Sequence, residues 1–171
     1  GRAGAPLPAH GQEVAAVTDE ALAPVVALGL QVYSTIVEAG GSAAVIGAWA
    51  MVAHGHIRQT DDLDLGVFMP LQELRALAER LRSSGLVVDL HEPDPVDPLG
   101  GVIDVEGPDE LLVQVVNFFN STQADDTPMR RAGAAALTDA GEELEGTSLR
   151  VVGLGHLVTL KLLAWDVGAA R

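Results

Sequence analysis

The run RQTDDLDLGV (58–67) places three aspartates within four positions and then turns apolar. Like charges this close repel, and burying a carboxylate without a partner is costly. The run is therefore either a solvated turn leading into a strand or a seat for positive charge. From Asp62 to Phe68 the residues alternate, which predicts a half-buried strand. Asp62, Asp64, Gly66 and Phe68 would share one face, and Leu63, Leu65 and Val67 the other. Two carboxylates on one face, with Cα atoms roughly 6–7 Å apart, suit a hard divalent cation such as Mg²⁺ or Mn²⁺. Enzymes that move phosphoryl groups with two metals hold the ions about 3.5–4 Å apart.

Residues upstream add to this. The short apolar run AAVI (43–46) leads into Gly47-Ala48 and then WAMVAH (49–54), a brief helix ended by Gly55. Backbone N–H groups at such a helix start attract phosphate, and a small residue lets it come close. Gly47 would equally serve tight strand–helix packing. Arg58 and Thr60 are placed to contact phosphate or to orient the aspartates, and Arg58 is equally an ion-pair partner for Asp61 or Asp62, worth ~0–1 kcal/mol at a surface. Zinc is disfavoured at His54 and His56, because no cysteine or third histidine lies nearby; a structural His54 is expected. Lys161 is the single lysine, set among Leu157, Leu160, Leu162 and Leu163. It either snorkels from a helix edge or carries its ammonium to a triphosphate.

The elements that must position these residues follow from apolar spacing. A helix is predicted over 18–39, with Pro24 at a first turn or at a break and Gly40-Gly41 ending it. A second helix opens at Pro70, carries Leu71, Leu74, Leu77 and Leu81 on one stripe, and stops at Gly85. LVVDL (86–90) is strand-like, and HEPDPVDPLG (91–100) is an acidic, proline-punctuated loop. The segment 101–119 reads as a hairpin turning at 106–109. A polar loop (121–134), a weaker hairpin (135–152) and a closing helix, LGHLVTLKLLAW (154–165), complete the chain. The expected fold is a single α/β (α+β) domain over 1–171, a small mixed sheet flanked by helices, with GRAGAPLPAHG (1–11) as a flexible leader.

Composition bounds the partners. The 171 residues are 48% hydrophobic and only 4% aromatic, so the core is built from Ala, Val and Leu. A net charge of -14 leaves no broad basic face for a nucleic-acid backbone. A polyanion would be handled through a few placed cations or metal ions. There is no cysteine, which fits a reducing cytoplasm. No run approaches the ~18 apolar residues of a membrane span.

Taken together, VIGAWAMVAHGHIRQTDDLDLGV (45–67) resembles the active-site signature of the DNA polymerase β-like nucleotidyltransferase superfamily, and most closely its minimal members, including the AbiEii-type toxin nucleotidyltransferases. That pattern, hydrophobic-Gly-Gly-x-Ala followed by His-Gly-x-x-Arg-x-Thr-x-Asp-hydrophobic-Asp, falls on Gly47, Ala48, Ala50, His54, Gly55, Arg58, Thr60, Asp62 and Asp64. LVTLKLLAW (157–165) looks like the late helix of the same family, with Lys161 as its lysine. The resemblance is strong over 43–68 and loose over 111–165. Two departures stand out. Ala48 replaces a second glycine or serine, and LLVQVVNFF, similar to the strand that brings the family's third carboxylate, holds Gln114 there. Glutamine brings no charge and cannot act as a base. Asp104, on the preceding strand, is the alternative third ligand.

The resemblance implies transfer of a nucleoside monophosphate from an NTP to a hydroxyl-bearing acceptor, with pyrophosphate released. Asp62, Asp64 and Asp104 would be catalytic and would hold two Mg²⁺ (or Mn²⁺) ions. Gly47, Ala48, Arg58, Thr60 and Lys161 would bind the nucleotide. The acceptor is open among a tRNA end, a protein and a small molecule, with no extended nucleic-acid or membrane binding. The alternative is a catalytically impaired nucleotide- or partner-binding module of the same fold, for example half of a toxin–antitoxin pair with a cognate partner protein. Gln114 favours it.

Overall fold

Pro24, whose missing N–H costs nothing in a first turn, opens helix α1 (Pro24–Glu38). The computed structural model describes residues 22–56, 60–124 and 126–169, so the leader (1–11) and Arg58 lie outside the described residues. The chain then forms β1 (Ala43–Ile46), α2 (Gly47–Ala53), β2 (Asp62–Val67), α3 (Leu71–Ser83), β3 (Val87–His91), β4 (Val102–Glu106), a 3-10 turn (Pro108–Glu110) and β5 (Leu112–Asn117). It continues through α4 (Pro128–Asp139), β6 (Glu142–Glu143), β7 (Arg150–Val151) and α5 (Leu154–Ala169).

The seven strands form one mixed sheet in the order β3-β4-β5-β2-β1-β7-β6. β2 lies near its centre, antiparallel to β1 and parallel to β5. Its alternation does what the sequence predicts on one face. Leu63, Leu65 and Val67 are fully buried, and a Cβ on Gly29 of α1 would meet Leu63 at 3.0 Å, so helix and sheet approach closely there. The other face is covered as well from its middle onward. A Cβ on Gly66 would stand 2.9 Å from Phe118 and 3.4 Å from Leu137 of α4. β2 is thus exposed only at its entrance, around Asp62, rather than along a whole face.

Residues 121–139 correct the sequence reading. Part of the expected polar loop and of the weak hairpin is instead α4, with Thr127 as its N-cap accepting from the Arg130 N–H and Pro128 in the first turn. Its buried stripe is Met129, Gly133, Ala136 and Leu137, too small and alanine-rich to register as helical periodicity. The hairpin shrinks to the two-residue strands β6 and β7.

A buried amide joins these layers. Asn117, at the end of β5, has no exposed surface. Its Nδ2 donates to the Met69 carbonyl at 2.9 Å and the Gly100 carbonyl at 3.1 Å, and its Oδ1 accepts from the Met69 N–H at 3.1 Å. One side chain therefore holds the exit of β2 against the approach to β4.

Candidate functional site

Strand pairing sets one row of side chains across the sheet. Ile46 of β1 pairs with Asp64, Asp64 with Gln114 of β5, Gln114 with Asp104 of β4, and Asp104 with Asp89 of β3. Paired residues point to the same face, and neighbouring strands are ~4.8 Å apart. Gln114 is therefore the immediate neighbour of Asp64, and Asp104 stands a further strand away, with Cα atoms roughly 10 Å apart.

Above this row is a cleft of ≈ 760 Å³ between the sheet face and α5. Gly47, Ala48, Thr60, Asp62, Asp64, Gln114 and Lys161 all line it. Six of these are residues the sequence nominated, brought together from β1–α2, β2 and α5. Thr60 fixes the entrance of β2, its Oγ1 accepting from the Asp62 N–H at 3.3 Å. The floor changes along the parallel pair β2 and β5. Asp64 and Gln114 are followed by Gly66 and Val116 and then by Phe118. Met51, Pro98, Leu99, Met129, Leu157, Val158 and Leu162 make apolar walls.

Gly47 is required where it stands. Its φ is +64°, a conformation that costs a residue with a side chain ~1–2 kcal/mol, and a Cβ there would lie 2.0 Å from Asp64 Oδ2. The glycine lets the backbone meet the carboxylate face on.

Electrostatics single out Asp64. Burial holds its carboxyl above the usual pKa, the nearby Asp62 charge pushes it further up, and the Lys161 ammonium pulls it back down. A divalent cation beside Asp62 and Asp64 would relieve both of the upward influences. Mg²⁺ is commonly bound through one or two carboxylates, with water and substrate phosphate completing the shell, so this pair fits such an ion.

Asp104 is not gathered into that pair. One of its oxygens accepts from Gln114 Nε2 at 2.8 Å and the other meets His91 Nε2 at 2.9 Å. Among the described residues no three His, Cys, Asp or Glu side chains are grouped to hold a metal. His54 is structural: its Nε2–H donates to the Val152 carbonyl at 2.9 Å, joining α2 to the end of β7.

Two features escaped sequence reasoning. The apolar walls come from four separate segments, and no local pattern links them. Asn117 had a signal, a lone amide in an apolar strand, which calls for buried partners.

Among the described residues no helix is long and apolar enough to cross a membrane. No family profile and no curated protein matches the sequence. Among solved structures the chain is similar to ANT(2")-Ia in complex with adenylyl-2"-tobramycin, with a TM-score of 0.50 at 18% identity over 85% of this chain and 90% of that one. It also resembles terminal uridylyl transferase 4 from Trypanosoma brucei with bound CTP, with a TM-score of 0.43 at 14% identity over 66% of this chain and 38% of that one. A third likeness is to a tRNA nucleotidyltransferase complexed with a primer tRNA and an incoming ATP analogue, with a TM-score of 0.42 at 20% identity over 76% of this chain and 36% of that one. The chain thus spans well under half of the last two. The mixed α/β architecture, a seven-stranded sheet flanked by helices, matches the fold of ANT(2")-Ia.

Proposed function

We propose that this fold carries a metal-dependent nucleotidyltransferase, moving an NMP from an NTP to an acceptor. In the reaction an acceptor hydroxyl gives its proton to solvent as its oxygen bonds to the α-phosphorus, the bond from that phosphorus to the bridging oxygen breaks, and pyrophosphate leaves with the electron pair. The observation that supports this reading most is the meeting of Asp62, Asp64 and Lys161 in one cleft, from two segments nearly a hundred residues apart in the chain.

Mg²⁺ or Mn²⁺, when bound, supplies positive charge that neutralises the triphosphate and polarises the acceptor oxygen. Asp62 and Asp64 would hold it. Gly47 and Ala48 would offer backbone N–H groups to the β- and γ-phosphates, and Thr60 keeps the Asp62 backbone in place. The Lys161 ammonium would offset the negative charge growing on the leaving pyrophosphate. The apolar walls would exclude water and take the nucleoside. Arg58 belongs to the proposed set through the sequence alone, as it lies outside the described residues. The carboxylate of Asp104 lies behind Gln114, whose Nε2 donates to it.

The test is incubation of the chain with each labelled NTP, Mg²⁺ or Mn²⁺ and cell extract, following pyrophosphate release and label transfer. Asp62→Ala or Asp64→Ala should abolish turnover; full turnover in either variant would refute the assignment.

One observation favours a second reading. An uncharged amide, Gln114, occupies the register position beside Asp64. The same cleft would then bind nucleotide or a protein partner without chemistry, for example as half of a toxin–antitoxin pair. NTP binding by calorimetry with no pyrophosphate released over hours would select this reading.

A further inference from the structure

Gln114 is the polar residue of the cleft to which the proposed reaction gives no task. It stands beside Asp64 in the sheet and lines the cleft. Its amide is not free to turn. Nε2 donates to Asp104 Oδ1 at 2.8 Å, and Asp104 is held from its far side by His91. An ionised carboxylate only accepts hydrogen bonds, so it admits the nitrogen of the amide and repels the oxygen. The oxygen is thereby turned from Asp104 and left for the cleft.

Resting on the nucleotide reading above, we propose that Asp104 is a positioning residue that holds Gln114 oxygen-first toward Asp64, so that Gln114 Oε1 is a neutral third oxygen ligand for a divalent cation at Asp62 and Asp64. With two carboxylates and one neutral oxygen, the cleft on its own holds one such ion. Two divalent ions ~4 Å apart repel four times as strongly as two unit charges. The described cleft offers only two negative charges against that repulsion, and Lys161 subtracts from them. A second ion enters with the triphosphate, which brings its own negative oxygens.

The experiment is Mn²⁺ titration of the full chain without nucleotide, by calorimetry and by the resonance signal of free Mn²⁺, with thermal melts as folding controls. One ion per chain is expected. Gln114→Leu and Asp104→Leu should each weaken binding about 10-fold, the range for residues that orient metal ligands. The double variant should be no weaker than Gln114→Leu alone, because Asp104 acts only through the amide. Asp104→Asn offers Gln114 an N–H donor as well as an acceptor, so the amide is no longer held one way and binding should fall between that of the unsubstituted chain and that of Asp104→Leu. Gln114→Glu should tighten binding or admit a second ion.

Two ions in the unsubstituted chain would overturn the proposal. So would binding within twofold of the original in Gln114→Leu or Asp104→Leu, or additive losses in the double variant. The parent reading fails separately, if the chain takes no Mn²⁺ or if Asp64→Ala leaves binding unchanged. Either result removes the ion seat itself and this inference with it.

Discussion

Gly47 and Asp64 approach so closely that a single methyl group on Gly47 would lie 2.0 Å from Asp64 Oδ2. The glycine also sits at φ +64°. Gly47→Ala should therefore cost about 2–4 kcal/mol, from backbone strain and from displacement of the carboxylate, and should weaken Mn²⁺ binding. Thermal unfolding and Mn²⁺ calorimetry read the two effects. Gly47→Ala combined with Asp64→Ala should be more stable than the sum of the single changes, since the collision disappears.

The same carboxylate makes stability pH-dependent. Asp64 holds its proton more tightly in the folded state than at its ordinary pKa of 3.8. Between that value and its raised one, folding takes up a proton, so stability falls as pH rises through the window and stays lowered above it. Asp64→Asn should raise Tm by roughly a few °C at pH 7 in chelator-treated buffer. The gain should shrink toward pH 4, and added Mg²⁺ should narrow it by stabilising only the aspartate form. A Tm difference that is flat from pH 4 to 8 would contradict the burial argument.

Lys161 is exposed on α5 yet close enough to Asp64 to lower its pKa. Lys161→Gln should leave Tm nearly unchanged and weaken NTP binding about 10-fold, the scale of one charge-assisted contact to phosphate. Because the lost partner is the polyphosphate, NTP and NDP should lose more affinity than the nucleoside. Equal losses for all three ligands would point away from a phosphate role.

Past Asp64 and Gln114 the described floor and walls are hydrocarbon, from Val116 and Phe118 to Leu157 and Val158. Apolar contact holds a base without reading its hydrogen-bonding edge. Dissociation constants for the four NTPs should therefore fall within about 10-fold of one another. A preference of 1,000-fold for one base would require an edge-reading group that this part of the cleft does not supply.

Asn117 is a stability site. Replacing it with Leu strands the Met69 N–H and carbonyl and the Gly100 carbonyl in a dry interior. The expected cost is about 3 kcal/mol by denaturant unfolding, with Mn²⁺ affinity unchanged in the protein that stays folded.

Sequence alone determined what depends on neighbours along the chain. Strict alternation from Asp62 to Phe68 set the two aspartates on one face. Gly47 before a short helix and the lysine in the last apolar helix were equally legible, because period, caps and turn residues are local properties. α4 was lost since alanine and glycine bury a face without marking it as apolar.

Tertiary structure decided which side chains became neighbours. VIDVE and LLVQVVN both alternate, and a shift of register by one residue reverses every side chain. Only the observed pairing puts Gln114 beside Asp64 and sets Asp104 one strand behind it. The β2–β5 contact joins Asp64 and Gln114, fifty residues apart, through packing and hydrogen-bond register. No spacing within a single stretch of chain records that choice.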